Sequence, residues 1–119
     1  MVIKAAVMCL ALAIYHESRG EPERGQYAVG EVVLNRASKK NISLCDVIYE
    51  KGQFHNSLKW TIPNDESWSR SLTIANNLIE NKTNYTNGAM YFHIKSIKSK
   101  QKDYILIGNH IFYRWYILV

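Results

Sequence analysis

Little in this chain can staple a fold or cross a membrane. Its two cysteines, Cys9 and Cys45, are too few for a disulfide scaffold and lack zinc-finger spacing. Both lie in apolar surroundings, where a thiol packs as a small hydrophobe. A bridge between them would need an oxidising compartment. The longest apolar run, 5–15, is about half of the ~20 residues that a membrane span requires. With Lys4 beside it, that run has features of a signal sequence. Cleavage would then fall close to Glu17 and strip away the helix before it, so the run reads as the first core helix. No repeat, linker or low-complexity stretch divides the chain. Its 119 residues read as one domain, 1–119, able to bury about two-thirds of the unfolded surface. Acidic residues are the minority, and the net charge of +5 points to an anionic partner, either nucleic acid or the bacterial envelope. The run Lys95, Lys98, Lys100 and Lys102 reads as a solvated loop.

With only two prolines and six glycines present, each breaker marks a boundary. Val7, Leu10, Ala11 and Ile14 recur at the spacing of one buried helix face, and Gly20 and Pro22 end that helix. Pro22 suits the first turn of a second helix over 23–37, which buries Ala28, Val29, Val32 and Val33. Tyr27, Glu31 and Asn35 make a polar row on it that reads as exposed. Ser43 caps a short helix through Tyr49. Asp65 or Ser67 caps a longer one to about Asn81, with Trp68, Leu72, Ala75, Leu78 and Ile79 as its core stripe. Beyond the Asn87-Gly88 turn, 89–93, 104–107 and 110–115 read as strands, the last two joined as a hairpin at Gly108-Asn109. Helices first and a small antiparallel sheet last make the fold class α+β.

Glu17 continues the face of Leu10 and Ile14, so it points towards the core or a cleft in the last turn of the first helix. Loss of water disfavours a carboxylate and raises its pKa, as a general acid requires. Spacing alone leaves a second reading open, a solvated helix-end glutamate or a partner of Arg19 or Arg24.

The run 9–22, with Tyr15-His16-Glu17-Ser18-Arg19-Gly20-Glu21-Pro22 at its end, resembles the opening of the SleB-type cell-wall hydrolases. Gly25-Gln26, Ala28-Val29 and Val33-Leu34-Asn35-Arg36 follow it. Cys45-Asp46-Val47-Ile48-Tyr49, Gly52-Gln53-Phe54, Gly88-Ala89-Met90-Tyr91-Phe92-His93 and 107–114 then come in the family's order. The resemblance spans nearly the whole chain. It implies a lysozyme-like fold and a lytic transglycosylase acting on peptidoglycan, a monomer in the bacterial envelope, with Glu17 as the catalytic residue. No cofactor, metal or nucleic acid is implied. A short basic chain of this kind also resembles phage endolysins, which are made in the cytoplasm.

In this chemistry Glu17 protonates the bridging oxygen. The C6 hydroxyl of the muramic acid then attacks its own anomeric carbon and Glu17 takes up that proton, leaving a 1,6-anhydro end. A hydrolytic muramidase would need a second carboxylate, for which Glu31 and then Glu21 are the candidates. Gln53, Tyr91, His93, His110 and Tyr113 can hydrogen-bond a sugar, and Phe54 can wall the groove. Strand alternation puts Tyr91 and His93 on the groove face and Phe92 inside. Two rival readings remain. One is a metal-dependent N-acetylmuramoyl amidase using His16, His55, His93 and His110 with the cysteines, although no zinc-type spacing is present. The other is a non-catalytic module binding glycan or nucleic acid.

Overall fold

Alanine and leucine, strong helix formers, dominate the segment Ala5–Ser18, and it forms helix α1. Leu10, Ala11, Leu12, Ala13 and Ile14 are all fully buried. An apolar helix covered on every side belongs in the middle of a fold. Helices α2 (Glu23–Lys40), α3 (Leu44–Tyr49) and α4 (Glu66–Glu80) all pack against it. The computed structural model describes residues 4–50, 62–96 and 101–115.

The boundaries follow local chemistry. Pro22 precedes the first turn of α2, and Asn41 closes that helix in the left-handed region at φ 55°. The helix therefore runs three residues past the expected end at 37. The Ser43 hydroxyl accepts from the Asp46 N–H at the start of α3. At α4 the cap is Asp65, not Ser67, accepting from the Trp68 N–H. The stripe of α4 is Trp68, Ser71, Ile74, Ala75 and Leu78. Ile79, expected in the core, is exposed instead, because Ile74 and Leu78 already fill the face towards α1 and α2. At Gly30 a Cβ would collide with the Leu78 side chain, so the missing side chain is what lets α2 and α4 approach.

A three-stranded antiparallel sheet completes the fold, formed by β1 (Tyr91–Ile94), β2 (Ile105–Ile107) and β3 (His110–Tyr113) in the order β1-β3-β2. The register pairs Phe92 with Phe112 and Ile107 with His110. Phe112, Ile107 and the partly buried Phe92 pack on Ala28, Val29 and Val32 of α2. The central strand β3 is covered on both faces, whereas edge strand β2 leaves Leu106 exposed. The fold is α+β, as the order of patterns predicted. Strand β1 begins two residues later than expected, because the Ala89 and Met90 carbonyls are held by Asn35 and Arg36 of α2.

Residue spacing alone leaves open whether the two cysteines are joined. Cys9 and Cys45 form a disulfide, with Cα atoms 5.2 Å apart. The packing of α3 on α1, invisible to spacing, brings them within bridging range. Among the described residues, no helix is long and apolar enough to cross a membrane.

Candidate active site

Glu17 stands in the last turn of α1, partly buried, between Ile14 and the buried Ser18. Two sets of bonds fix this helix end. On one side the Tyr15 hydroxyl donates to Asp65 Oδ2 at 2.6 Å, and Arg19 Nη1 donates to the same hydroxyl at 2.7 Å. The chain Arg19–Tyr15–Asp65 thus ties the end of α1 to the cap of α4. The carboxylate raises the Tyr15 pKa, and the phenol in turn holds Asp65 below its ordinary value, helped by the Trp68 N–H. On the other side the Ser18 hydroxyl donates to the Ile14 carbonyl at 2.7 Å. The Glu21 N–H closes onto the Ser18 carbonyl at 2.9 Å, which turns the chain sharply into α2.

Glu21 and Glu31, the two other candidate carboxyls, have structural engagements. Glu21 Oε1 accepts from the Asn109 backbone N–H at 2.6 Å and Oε2 from the Asn109 side-chain amide at 3.0 Å. It thereby grips the β2–β3 turn. Gly108, at φ +59°, lies so close that a Cβ would sit 2.5 Å from Glu21 Oε1. Burial pushes the Glu21 pKa up, but the two Asn109 bonds, His110 and Lys95 outweigh it and leave the group below its usual range. Glu31 is the larger surprise. It was expected on an exposed row and is 0 % exposed. Its oxygens accept from the Thr83 hydroxyl, the Tyr85 and Thr86 N–H groups and the Thr86 hydroxyl, at 2.6 to 2.9 Å. Periodicity could not see these donors, because they come from a connection more than fifty residues away.

The sheet brings three of the candidate sugar-binding residues together and separates a fourth. Tyr91, His93 and Tyr113 share the sheet face opposite Phe92 and Phe112, and the Arg36 guanidinium of α2 lies 5.2 Å from the Tyr91 ring centre. His93 Nδ1 lies 3.0 Å from the Tyr113 hydroxyl, and the Tyr91 and Tyr113 rings stack at 5.6 Å. Among the described residues His93 Nε2 is buried without a hydrogen-bond partner, and burial lowers the His93 pKa. His110 is on the opposite face, buried, with its ring edge-on to Phe92 and Nδ1 3.6 Å from Glu21 Oε1. It belongs to the Glu21 clamp, a placement set by strand alternation. Gln53, Phe54 and His55 lie outside the described residues. The Tyr15–Arg19–Asp65 link had only one sequence signal, the capping character of Asp65.

A recess of about 340 Å³ lined by Tyr15, His16, Arg19 and Pro63 adjoins the last turn of α1. A larger one, about 590 Å³, lies between α2 and α4 near Tyr27, Asn77 and Tyr85, and Glu17 does not line it. Glu17 is not among the lining residues of the smaller recess either, but its neighbours Tyr15, His16 and Arg19 are, so that recess is the one at the helix end carrying the candidate acid. Among the described residues no three histidine, cysteine or acidic side chains converge as metal ligands, and both cysteines are committed to the disulfide.

No curated protein sequence matches this chain. Two solved structures do. The crystal structure of the catalytic domain of the Bacillus cereus SleB protein shares 31 % identity, covering 92 % of this chain and 89 % of that one, with a TM-score of 0.69. The catalytic domain of the germination-specific lytic transglycosylase SleB from Bacillus anthracis shares 28 % identity, covering 95 % and 97 %, with a TM-score of 0.72. Residues 20–113 match the model of the cell wall hydrolase family. That match begins at Gly20, just after the candidate acid, while the structural likeness extends over nearly the whole chain. With the helix-end carboxyl, the clamped hairpin and the fold all in hand, the chain belongs to the cell wall hydrolase family and is an enzyme of SleB type.

Proposed function

We propose that this enzyme cleaves peptidoglycan glycan strands as a lytic transglycosylase, with Glu17 as acid and then base. The observation that carries this reading is the position of Glu17, partly buried at a rigidly tied helix end, in a fold like that of a SleB lytic transglycosylase. Glu17 protonates the oxygen between N-acetylmuramic acid and N-acetylglucosamine. As that bond breaks, the C6 hydroxyl of the muramic acid closes on its anomeric carbon and returns a proton to Glu17. No water is consumed and no second carboxylate is required. The commitments of Glu31 to Thr83, Tyr85 and Thr86, and of Glu21 to Asn109, support this single-carboxylate route over a two-carboxylate muramidase. The partly buried Tyr91 and His93 are the proposed sugar contacts, while Tyr113, expected among them, is buried and acts through its hydroxyl on His93. Gln53 and Phe54 are assigned to the same groove by the resemblance alone. The disulfide fits action in an oxidising part of the envelope, and we read 1–119 as one catalytic domain acting as a monomer.

The test is digestion of purified peptidoglycan followed by mass spectrometry of the released muropeptides. The expected product is lighter by one water than its hydrolysed counterpart. Glu17→Gln should lower the rate by about 10²–10⁴-fold with an unchanged melting temperature. Hydrated reducing ends would overturn the transglycosylase route in favour of a muramidase. Free stem peptides, lost on adding a chelator, would instead identify an amidase.

A further inference from the structure

The far end of α2 carries a recess that the chemistry above does not use. Asn35 and Lys39 of α2 face Lys82 and Met90 from the α4–β1 connection, with Arg114 and Trp115 following β3, around about 340 Å³. Three lining residues are cations and none is acidic. Lys40, beside Lys39, is neutralised by Glu50 at 2.7 Å. Lys39, Lys82 and Arg114 have no such partner among the described residues. The Lys82 ammonium donates to Asn35 Oδ1, and the Arg114 guanidinium lies 6.0 Å from the Trp115 ring centre. Trp115 is 71 % exposed, more than any other large apolar side chain among the described residues.

Gathering unpaired like charges around one concavity is unfavourable unless an anion enters it. A flat, exposed indole beside them is the surface on which a sugar ring stacks. Cations plus an open aromatic face therefore suit an acidic glycan better than either a plain anion or a neutral sugar. We propose that this recess is a second, non-catalytic glycan-binding site. Trp115 lies under a pyranose ring, and Lys39, Lys82 and Arg114 take carboxylates of the peptides that the strand carries. The assignment of the ligand rests on the reading of peptidoglycan as substrate. With a helical rise of about 1.5 Å per residue, the Asn35–Lys39 end of α2 lies roughly 20 Å from the corner that follows Glu17. Binding there holds the enzyme on the wall and takes no part in bond breaking.

Co-sedimentation with insoluble peptidoglycan tests this, using Glu17→Gln protein so that binding is read without cleavage. Lys82→Glu combined with Arg114→Glu should weaken binding at least about tenfold and flatten its salt dependence. Trp115→Ala should weaken it by on the order of tenfold. With Glu17 intact, the same substitutions should leave turnover of a short soluble glycan fragment at saturation unchanged. Unchanged affinity for the insoluble wall overturns the proposal. So does a loss confined to binding of a DNA duplex, which would make the recess a nucleic-acid site. If charge reversal impairs folding, judged by thermal unfolding, Lys82→Gln with Arg114→Gln decides by the same readouts. If the wild type releases no muropeptide while charge reversal still abolishes wall binding, the catalytic reading falls and this site stands. If the wild type cleaves and the variants bind normally, the reverse holds.

Discussion

Glu31 illustrates how much a single buried side chain can hold. Its carboxyl collects donors from Thr83, Tyr85 and Thr86, so it fastens the α4–β1 connection to α2. Asn35 and Arg36, one turn further on, continue the row by binding the Ala89 and Met90 carbonyls. Together they set where β1 begins and hence where Tyr91 and His93 stand. Replacement by alanine leaves several buried donors unmatched, each costing about 1–3 kcal/mol. Glu31→Ala should therefore lower unfolding free energy by about 3 kcal/mol or more in urea titration. If Glu31 were instead a second catalytic carboxyl, Glu31→Gln would abolish activity while leaving stability nearly intact. The expected pattern is the opposite, with stability falling first and activity surviving at low temperature.

Two element-level links bind the helical part together and join it to the sheet. The Cys9–Cys45 bridge pins α3 to α1 across 36 positions of sequence. Reduction, or Cys9→Ser with Cys45→Ser, should cost about 3–4 kcal/mol by the chain-entropy argument, read as a lower melting temperature in thiol reductant. The fold should survive at room temperature, because both cysteines sit in an otherwise apolar core. The second link is the grip of Glu21 on Asn109, which holds the β2–β3 turn against the α1–α2 corner. Glu21→Gln keeps the shape but weakens two charge-assisted bonds. It should destabilise by about 1.5–3 kcal/mol and raise amide exchange at Asn109 and His110, while exchange within α1 is little changed.

Over the whole molecule, several titrating groups respond to acid in the same direction. Burial lowers the pKa of His93 and His110 from 6.5, with Glu21 pulling His110 partly back. Glu21 lies below its usual 4.5 and Asp65 below 3.8. In each case the folded state binds fewer protons than the unfolded chain, so stability rises with pH through these ranges. It is fully present above the ordinary pKa of each group and is lost as pH falls through the lower folded value. Melting temperature should therefore be flat from about pH 7 up to the range where the Tyr15 phenol ionises. It should fall in two stages on acidification, first with the histidines below 6.5 and then with the carboxylates below 4.5. His110→Gln should flatten the first stage and Glu21→Gln the second.

Among the described residues, local patterns were enough to place the four helices, the three strands and the helix-end position of Glu17. Caps, breakers and periodicity act within a few residues; among the described residues the tertiary fold moved element ends by no more than three positions and exposed Ile79 of the expected α4 stripe. The ordered blocks from Tyr15-His16-Glu17 to Tyr113 were enough to name the family. What needed three dimensions was the fate of the polar and sulfur groups. The polar helix row of Glu31 points to solvent, but its partners Thr83 and Thr86 come from the connection between α4 and β1. Cys9 and Cys45 meet only because two helices pack. Lys39, Lys82 and Arg114 gather from three separate segments around one recess. Hydrophobic burial is written into residue spacing, but the pairing of a buried charge depends on which distant backbone arrives beside it, and only the folded chain decides that.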